Sequence, residues 1–342
     1  MTVISSAGGF AQLIDDQEGL ATTSQLAMHG YGRDQLMHRI GTGQWVRVLH
    51  GVIATSNGCL TRSMALRAAL LYGGPRAVLS HRSAGEEWRM LRVRSEDEPV
   101  HITVPYGQSA LCQRPTLRTP TVRLAPEAHT RVHPGVVVHR SKAFDHITID
   151  GEFPRTTLAA TAIDLAVAEP TPRLAMITLV AAVTEARTPI WRIREHVEKR
   201  RPRRYRRPIA DALAMLDDGV ASVLEYRYAL DVEQAHGLPP GRRQSPVIVD
   251  GRALYEDVDY SPLGVPLIVR LDGARFHFRR AVRFRDRRRD NAAELAGRPR
   301  LVYGWNETVE DPCGIFEEVR AVLVREGWPD SSRPCERCAT RR

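Results

Sequence analysis

The sequence predicts a multidomain chain of mixed α+β and α/β class. Three observations carry that expectation. The 342 residues amount to two or three domains at about 100–200 residues each. Hydrophobic residues make up 43%, enough for packed cores and too many for a disordered chain. The hydrophobic period switches along the chain between helical spacing and the two-residue alternation of strands. The longest apolar run, residues 174–183, has ten residues with Thr178 inside it, short of the ~20 a membrane span needs. No basic patch leads into an apolar core at the N-terminus, so no secretory leader is expected. Five cysteines are few and odd in number, which argues against a disulfide framework. A soluble, cytoplasmic protein without membrane contact is the expectation.

Taken in order, residues 10–17 and 22–28 read as helices, with Thr22 or Thr23 as a cap. Gly30-Tyr31-Gly32 is a turn before a third helix, 33–40. Residues 45–49 and 52–54 are strands of a tight hairpin around His50-Gly51. Three short helices and a hairpin is the order of a winged helix-turn-helix, assigned to residues 1–60. Residues 61–199 read as a mixed α/β domain. Its helices are 61–72, 80–91, 157–168, 173–186 and 190–199, and its strands are 101–104, 122–124 and 136–139. The apolar helix around 174–183 suits a core or a homodimer face. Residues 200–217 are expected to be a basic, proline-broken linker.

An α/β domain follows at 218–327. It has a helix near 222–234, a hairpin about Asp250-Gly251, a buried strand at 266–271, a helix at 284–296, a strand at 301–303 and a helix at 313–325. Residues 328–342 read as a disordered tail.

The net charge is +9, and 47 of the 49 basic residues are arginine. Residues 187–208 carry +8 and residues 273–300 carry +7. Positive charge gathered in two segments is the footprint of a polyanion-binding surface, or else of solvated arginine-rich segments. In a helix-turn-helix the second helix enters the major groove. Here it would present Arg33, Gln35, His38 and Arg39, with Leu36 and Ile40 turned inward. Arg and Gln can form the bidentate contacts that distinguish G and A. The hairpin adds Arg47, with Trp45 at its base. Double-stranded DNA is the expected partner; a three-helix protein-interaction module is the alternative.

Several stretches are similar to the N-terminal domain of AbiEi-type antitoxins, over residues 10–170. They are Gly19-Leu20-Ala21-Thr22, residues 44–54, Ala77-Val78-Leu79-Ser80-His81-Arg82-Ser83-Ala84, His101-Ile102-Thr103-Val104-Pro105, Val137-Val138-His139-Arg140-Ser141 and residues 157–166. The resemblance implies a promoter-binding winged-helix domain and a nucleotidyltransferase-like toxin as protein partner.

A second resemblance covers residues 218–325. Ser222-Val223-Leu224-Glu225, Gln244, Val258-Asp259-Tyr260, Leu271-Asp272-Gly273, His277 and residues 284–292 resemble PD-(D/E)xK nuclease domains related to very-short-patch-repair endonucleases. This implies a restriction-endonuclease-like fold and candidate catalytic residues Glu225, Asp259, Asp272 and His277 around Mg²⁺. The sequence departs where that pattern has a glutamate, because Arg270 stands there. A guanidinium neither ligates metal nor acts as a base at neutral pH. Residues two apart in a strand share a face, so Arg270 is expected beside Asp272 and near Asp259, in the cation's place. Arg285, Arg287, Arg288 and Arg289 would contact phosphates; the alternative is a solvated charged helix face.

Cys335-Glu336-Arg337-Cys338 has no second pair, and neither Cys313 nor the twelve histidines show a matching ligand spacing. Free thiols on a loose tail are expected, and no resident metal or cofactor. His81, His101, His133 and His139 read as strand and cap residues. The leading expectation is a non-enzymatic DNA-binding regulator with an antitoxin-like front and an inactive nuclease-like back. A Mg²⁺-dependent DNA endonuclease and a toxin-binding antitoxin remain open.

Overall fold

The computed structural model describes residues 6–93, 98–118, 130–249, 251–272 and 280–340. The structure is mixed α/β and divides into two compact units, Met1–Ala168 and Glu169–Arg342. Among the described residues no helix is long and apolar enough to cross a membrane.

Unit 1 begins with α1 (Ser6–Asp16), β1 (Leu20–Thr22), α2 (Thr23–Met28), α3 (Arg33–Gly41), β2 (Val46–Leu49) and β3 (Val52–Ala54). Thr22 caps α2 in a reciprocal box: its hydroxyl accepts from Gln25 N–H at 3.1 Å, and Gln25 Oε1 accepts from Thr22 N–H at 2.8 Å. The strands form an antiparallel sheet in the order β1-β3-β2. Ala21, Leu26, Trp45 and Ile53 make a small core beneath the three helices, joined by Phe10, Ile14, Tyr31, Leu36 and Ile40.

The unit continues through α4 (Arg62–Gly73), β4 (Val78–Leu79), α5 (His81–Glu87), β5 (Val100–Pro105), β6 (Thr116–Arg118), β7 (Thr130–His133), β8 (Val136–Ser141), α6 (Phe144–Ile147), β9 (Thr148–Ile149), β10 (Arg155–Thr156) and α7 (Leu158–Ala168). Five strands form a mixed sheet in the order β8-β5-β4-β10-β9, and β6 pairs with β7. Residue 60 is not a domain boundary. One continuous core runs from Leu20, Val48 and Val52 to Leu66, Leu79, Ile102 and Val138. Gly73 lets α4 end against β5: a Cβ there would lie 2.5 Å from Ala77 and 2.6 Å from Ile102. The expected strand 122–124 lies outside the described residues.

Unit 2 opens with α8 (Pro172–Glu185), α9 (Ile190–Lys199) and α10 (Arg206–Asp217). The expected linker is therefore largely helix. Pro208 falls in the first turn of α10, where a missing N–H breaks no helical bond, and Ile209, Ala212, Leu213 and Leu216 are buried along one face. α8 packs on α10, so its apolar surface is core.

Then come α11 (Val223–Arg227), a π-helical turn (Tyr228–Gln234), β11 (Arg242–Val249), β12 (Arg252–Asp259), β13 (Ile268–Asp272), α12 (Arg280–Leu295), β14 (Arg300–Gly304), α13 (Trp305–Glu310), α14 (Pro312–Arg325) and α15 (Glu336–Thr340). The sheet order is β11-β12-β13-β14. The first three strands are antiparallel in sequence, and β13 and β14 run parallel, joined by the α12 crossover. Gly251 takes φ +75° at the β11–β12 turn. The core holds Tyr228, Val232, Tyr260, Val269, Phe316 and Val319. The segment after α14 is not a loose tail. Trp328 packs against this core, and Arg333 N–H donates to the His236 carbonyl at 2.8 Å.

Three unit 1 histidines are held neutral. His133 is fully buried, with Nε2 3.0 Å from the Ala65 carbonyl and Nδ1 accepting from Gly135 N–H at 3.0 Å. Burial lowers its pKa. The His101 and His139 rings meet at 3.1 Å, and His139 stacks on His81 at 3.6 Å between centroids. Burial, and then the neighbouring His81 and His101, push His139 down to about 3. Burial, then Arg82, lower His101 against the opposing pull of Glu98.

The unfolded chain takes up these protons near pH ~6.5, whereas the folded chain resists them. The stabilisation is thus complete above that pH and is lost as pH falls towards the depressed values. We expect the unit 1 melting transition, followed by calorimetry, to weaken between about pH 6.5 and 5, at up to ~1.4 kcal/mol per pH unit for each histidine. His139→Phe, which keeps a ring on His81 but has no titrating nitrogen, reduces that slope by the His139 share, leaving that of His101 and His133. A transition independent of pH in this window contradicts the reading.

Candidate functional site

Two groups of predicted residues carry chemistry, one in each unit. In unit 1, α3 has no fully buried residue, because it lies on the small core with Leu36 and Ile40 and turns its remaining side chains outward. Arg33, Gln35, His38 and, on β2, Arg47 are exposed. Arg47 Nη2 lies 3.9 Å from the Met37 sulfur, so the strand arginine stands next to the helix.

Three of the predicted residues are held by the fold. Trp45 is 6% exposed and belongs to the core, so it supports the surface without forming part of it. Arg39 is half-buried. Its guanidinium lies 4.9 Å from the Trp45 ring and 5.6 Å from the Tyr31 ring, and donates to Gln44 Oε1 at 3.3 Å. Gln35 Oε1 accepts from Gly32 N–H at 3.2 Å, so its acceptor is committed to the helix start.

In unit 2 the acids gather where β12 and β13 part. Only Val258–Val269 and Asp259–Ile268 pair across these strands. Beyond them the Asp257 carboxylate, not a backbone carbonyl, accepts Leu271 N–H at 2.9 Å. Across the β11–β12 ladder from Asp257, Gln244 is held at φ +46°. Arg270 is 2% exposed and reaches into this gap. Its Nε and Nη2 donate to the two oxygens of the buried Glu256 at 3.0 and 3.3 Å, and its Nη1 pairs with Asp290 of α12. Arg270 thus takes carboxylate partners as its chemistry requires, but they are Glu256 and Asp290 rather than Asp272 and Asp259.

Asp259 is otherwise engaged. Its carboxylate accepts from Ser245 Oγ at 2.9 Å, Ser261 N–H at 2.9 Å and Arg298 at 2.8 Å. Burial raises its pKa, but the bonds from Ser261 and Ser245 and the charge of Arg298 outweigh it, and the net pKa is low. Asp259 therefore secures the turn after β12. The acid nearest the predicted chemistry is Asp257, which the sequence reading passed over. Its pKa is raised by burial despite the Leu271 N–H, Arg289 and Arg270.

Glu225 is 5% exposed at the start of α11 and accepts from Ala221 N–H at 2.9 Å, Ser222 Oγ at 3.2 Å and Gln244 Nε2 at 3.2 Å. Burial first, then the Asp257 charge, push it up to about 7. Part of its role is local, since Ser222 caps α11 by accepting Glu225 N–H at 3.1 Å. Asp272 is exposed at the end of β13. His277 lies outside the described residues, as do the side chains of Arg285 and Arg287. Arg288 is exposed on α12, while Arg289 is half-buried and donates to the Tyr255 carbonyl.

The sequence signal that could have found Asp257 was the Glu256-Asp257 pair two residues before the chosen acid. Asp290 carried no signal until the crossover helix brought it to Arg270. No protein-family model and no curated protein matches the chain.

A buried guanidinium that loses its main partner destabilises by about 3–5 kcal/mol, whereas an apolar pair of similar volume is often tolerated. Glu256→Ala is therefore expected to cost ~3 kcal/mol in urea denaturation, and Glu256→Met with Arg270→Met to recover most of it. Equal stability of the single and double variants would show that the pair is not coupled.

Proposed function

We propose that the chain is a DNA-binding regulator. In this reading residues 6–54 act as a winged helix-turn-helix on duplex DNA, and unit 2 carries a nuclease-like fold that no longer cleaves. The observation that carries the DNA reading is the exposure of Arg33, His38 and Arg47 together over an aromatic core. The order helix, strand, helix, helix, hairpin, with the first strand added to the hairpin, supports it. α3 is then the groove-reading helix. Arg39, stacked on Trp45 and Tyr31, orients it, and Arg47 reaches the backbone from the hairpin.

For the back domain, the supporting observation is the permanent positive charge of Arg270 among Glu256, Asp257 and Asp290. A divalent ion would have to displace a buried, bidentate guanidinium. A second reading, a weakened metal-dependent endonuclease, is favoured by one feature. Buried Glu225 and half-buried Asp257 both have raised pKa values, chiefly through desolvation, and the Asp257 charge adds to the rise at Glu225.

The primary test is binding of the full chain to its own upstream DNA and to an unrelated duplex across a salt series. Affinity should fall steeply with salt, and each lost phosphate contact should reduce the log–log slope by about 0.9. Arg33→Ala and Arg47→Ala should each weaken binding by ~1–3 kcal/mol if they reach bases, and less if they reach phosphates alone. Failure to bind either duplex in dilute buffer refutes the proposal. Supercoiled plasmid with Mg²⁺ or Mn²⁺ separates the two readings of unit 2. Intact plasmid is expected, and nicking abolished by Asp257→Asn would establish the endonuclease. Arg270→Glu should gain a melting temperature that rises with added Mn²⁺.

A further inference from the structure

The C-terminal segment contributes two cysteines to a group that the linear spacing conceals. His236 follows the π-helical turn, Cys313 lies in the first turn of α14, and Cys335 and Cys338 flank the start of α15. One ligand atom of each lies within 4.8 Å of every other. Cys313 Sγ is 3.6 Å from Cys335 Sγ, Cys335 Sγ is 3.7 Å from Cys338 Sγ, and Cys338 Sγ is 3.5 Å from His236 Nε2.

These three separations match three edges of the tetrahedron that four ligands would form around one metal ion, and the remaining pairs lie within 4.8 Å. With Zn–S of about 2.3 Å and Zn–N of about 2.05 Å, tetrahedral angles require S–S edges of about 3.75 Å and S–N edges of about 3.6 Å. A disulfide would need ~2.05 Å between two sulfurs, and no pair here approaches it.

The imidazole is prepared for this role. His236 Nδ1 lies 2.9 Å from the Val232 carbonyl, which fixes the proton there and leaves the Nε2 lone pair facing the thiols. The ring is fully buried and stacks on Phe316 at 4.1 Å with an 8° tilt. Cys313, 7% exposed, sits in the first turn of a 14-residue helix. Two buried ligands from separate elements and a CxxC pair from a third give three sulfurs and one nitrogen.

We propose that His236, Cys313, Cys335 and Cys338 bind one zinc ion, and that this ion fastens the segment after α14 to unit 2. As the three Zn–S bonds form, the three thiols release their protons to solvent, and His236 contributes its neutral Nε2 without losing a proton. Four protein ligands complete the coordination shell, so the site is structural and holds no open position for substrate. The expectation of free thiols on a loose tail is replaced by a closed centre.

The test is the metal content of the full chain, expressed with added zinc and purified without chelator. One zinc per chain is expected by plasma mass spectrometry, falling at least about tenfold in Cys335→Ser and in Cys338→Ser. His236 and Cys313 are buried and their variants can misfold, so the substitutions at half-buried Cys335 and Cys338 carry the comparison. Cobalt replacement of the stripped ion should give the thiolate charge-transfer band and the intense visible bands of a tetrahedral S₃N site. Stripping should also speed trypsin cleavage at Arg333 or Arg337, and added zinc should reverse it. Zinc content unchanged by either substitution overturns the proposal. So does a fully reduced protein that takes up neither zinc nor cobalt, or a native disulfide among Cys313, Cys335 and Cys338.

Discussion

A buried guanidinium cannot be left without carboxylate partners, and much of unit 2 near the sheet's parting strands follows from that constraint. Arg270 is almost wholly enclosed. Taking such a charge out of water costs several kcal/mol unless bidentate geometry and further hydrogen bonds offset it. Glu256 supplies the fork and Asp290 closes the third side, which ties the crossover helix α12 to β12 and β13. Asp290 is itself held, since its carbonyl accepts from Arg300 at 2.8 Å. Arg270 therefore does more than fill a buried position. It converts a cleft that would otherwise repel its own acids into a crosslinked support. In a nuclease the same cancellation of charge would fall to the ion.

The same logic separates supporting from acting residues in unit 1. Arg39 is basic and lies on the expected recognition helix, yet two aromatic rings and Gln44 hold it. Its contribution is to fix the helix over Trp45, and Arg33, His38 and Arg47 are left as the exposed donors. Preorganising α3 in this way reduces the ordering cost of any ligand it meets.

Most elements were legible in the residues because local signals and packing agree. Thr22 and Gln25 announce the start of α2 at their capping spacing, and the box forms. The alternation in 242–259 and the glycine after Asp250 announce the β11–β12 hairpin. The linker expectation fails because Pro208 stands in a first turn, where proline breaks no helical bond, and because Ile209, Ala212, Leu213 and Leu216 give the segment a buried apolar face despite the arginines before it. The site was less legible. Register near Asp257 depends on where two strands stop pairing, and a one-residue change moves a side chain to the other face. Cys313 and His236 lie far in sequence from the CxxC pair, so only the packing of α14 on the π-helical turn discloses that they converge.

Charge counting alone does not locate a polyanion surface. Residues 273–300 hold one of the two strongest positive runs. Yet Arg298 is bonded to Asp259, Arg300 to Asp290 and its carbonyl, and Arg289 to the Tyr255 carbonyl. In the run 187–208, Arg194 pairs with Asp217 and Lys199 with Glu195 at the surface, and Arg187, Arg192, Arg201, Arg203, Arg206 and Arg207 are exposed. An arginine spent on an internal carboxylate adds to the formal charge but releases few counterions from a duplex, because counterion release requires direct neutralisation of phosphate. The proposed DNA reading of unit 1 rests on a few exposed donors over an aromatic base, and not on the formal net charge. A binding surface of that kind is small. On the proposed reading its affinity would depend on how firmly Trp45, Tyr31 and Arg39 hold α3 in place, which would make the aromatic cluster as consequential for recognition as the residues that touch the nucleic acid.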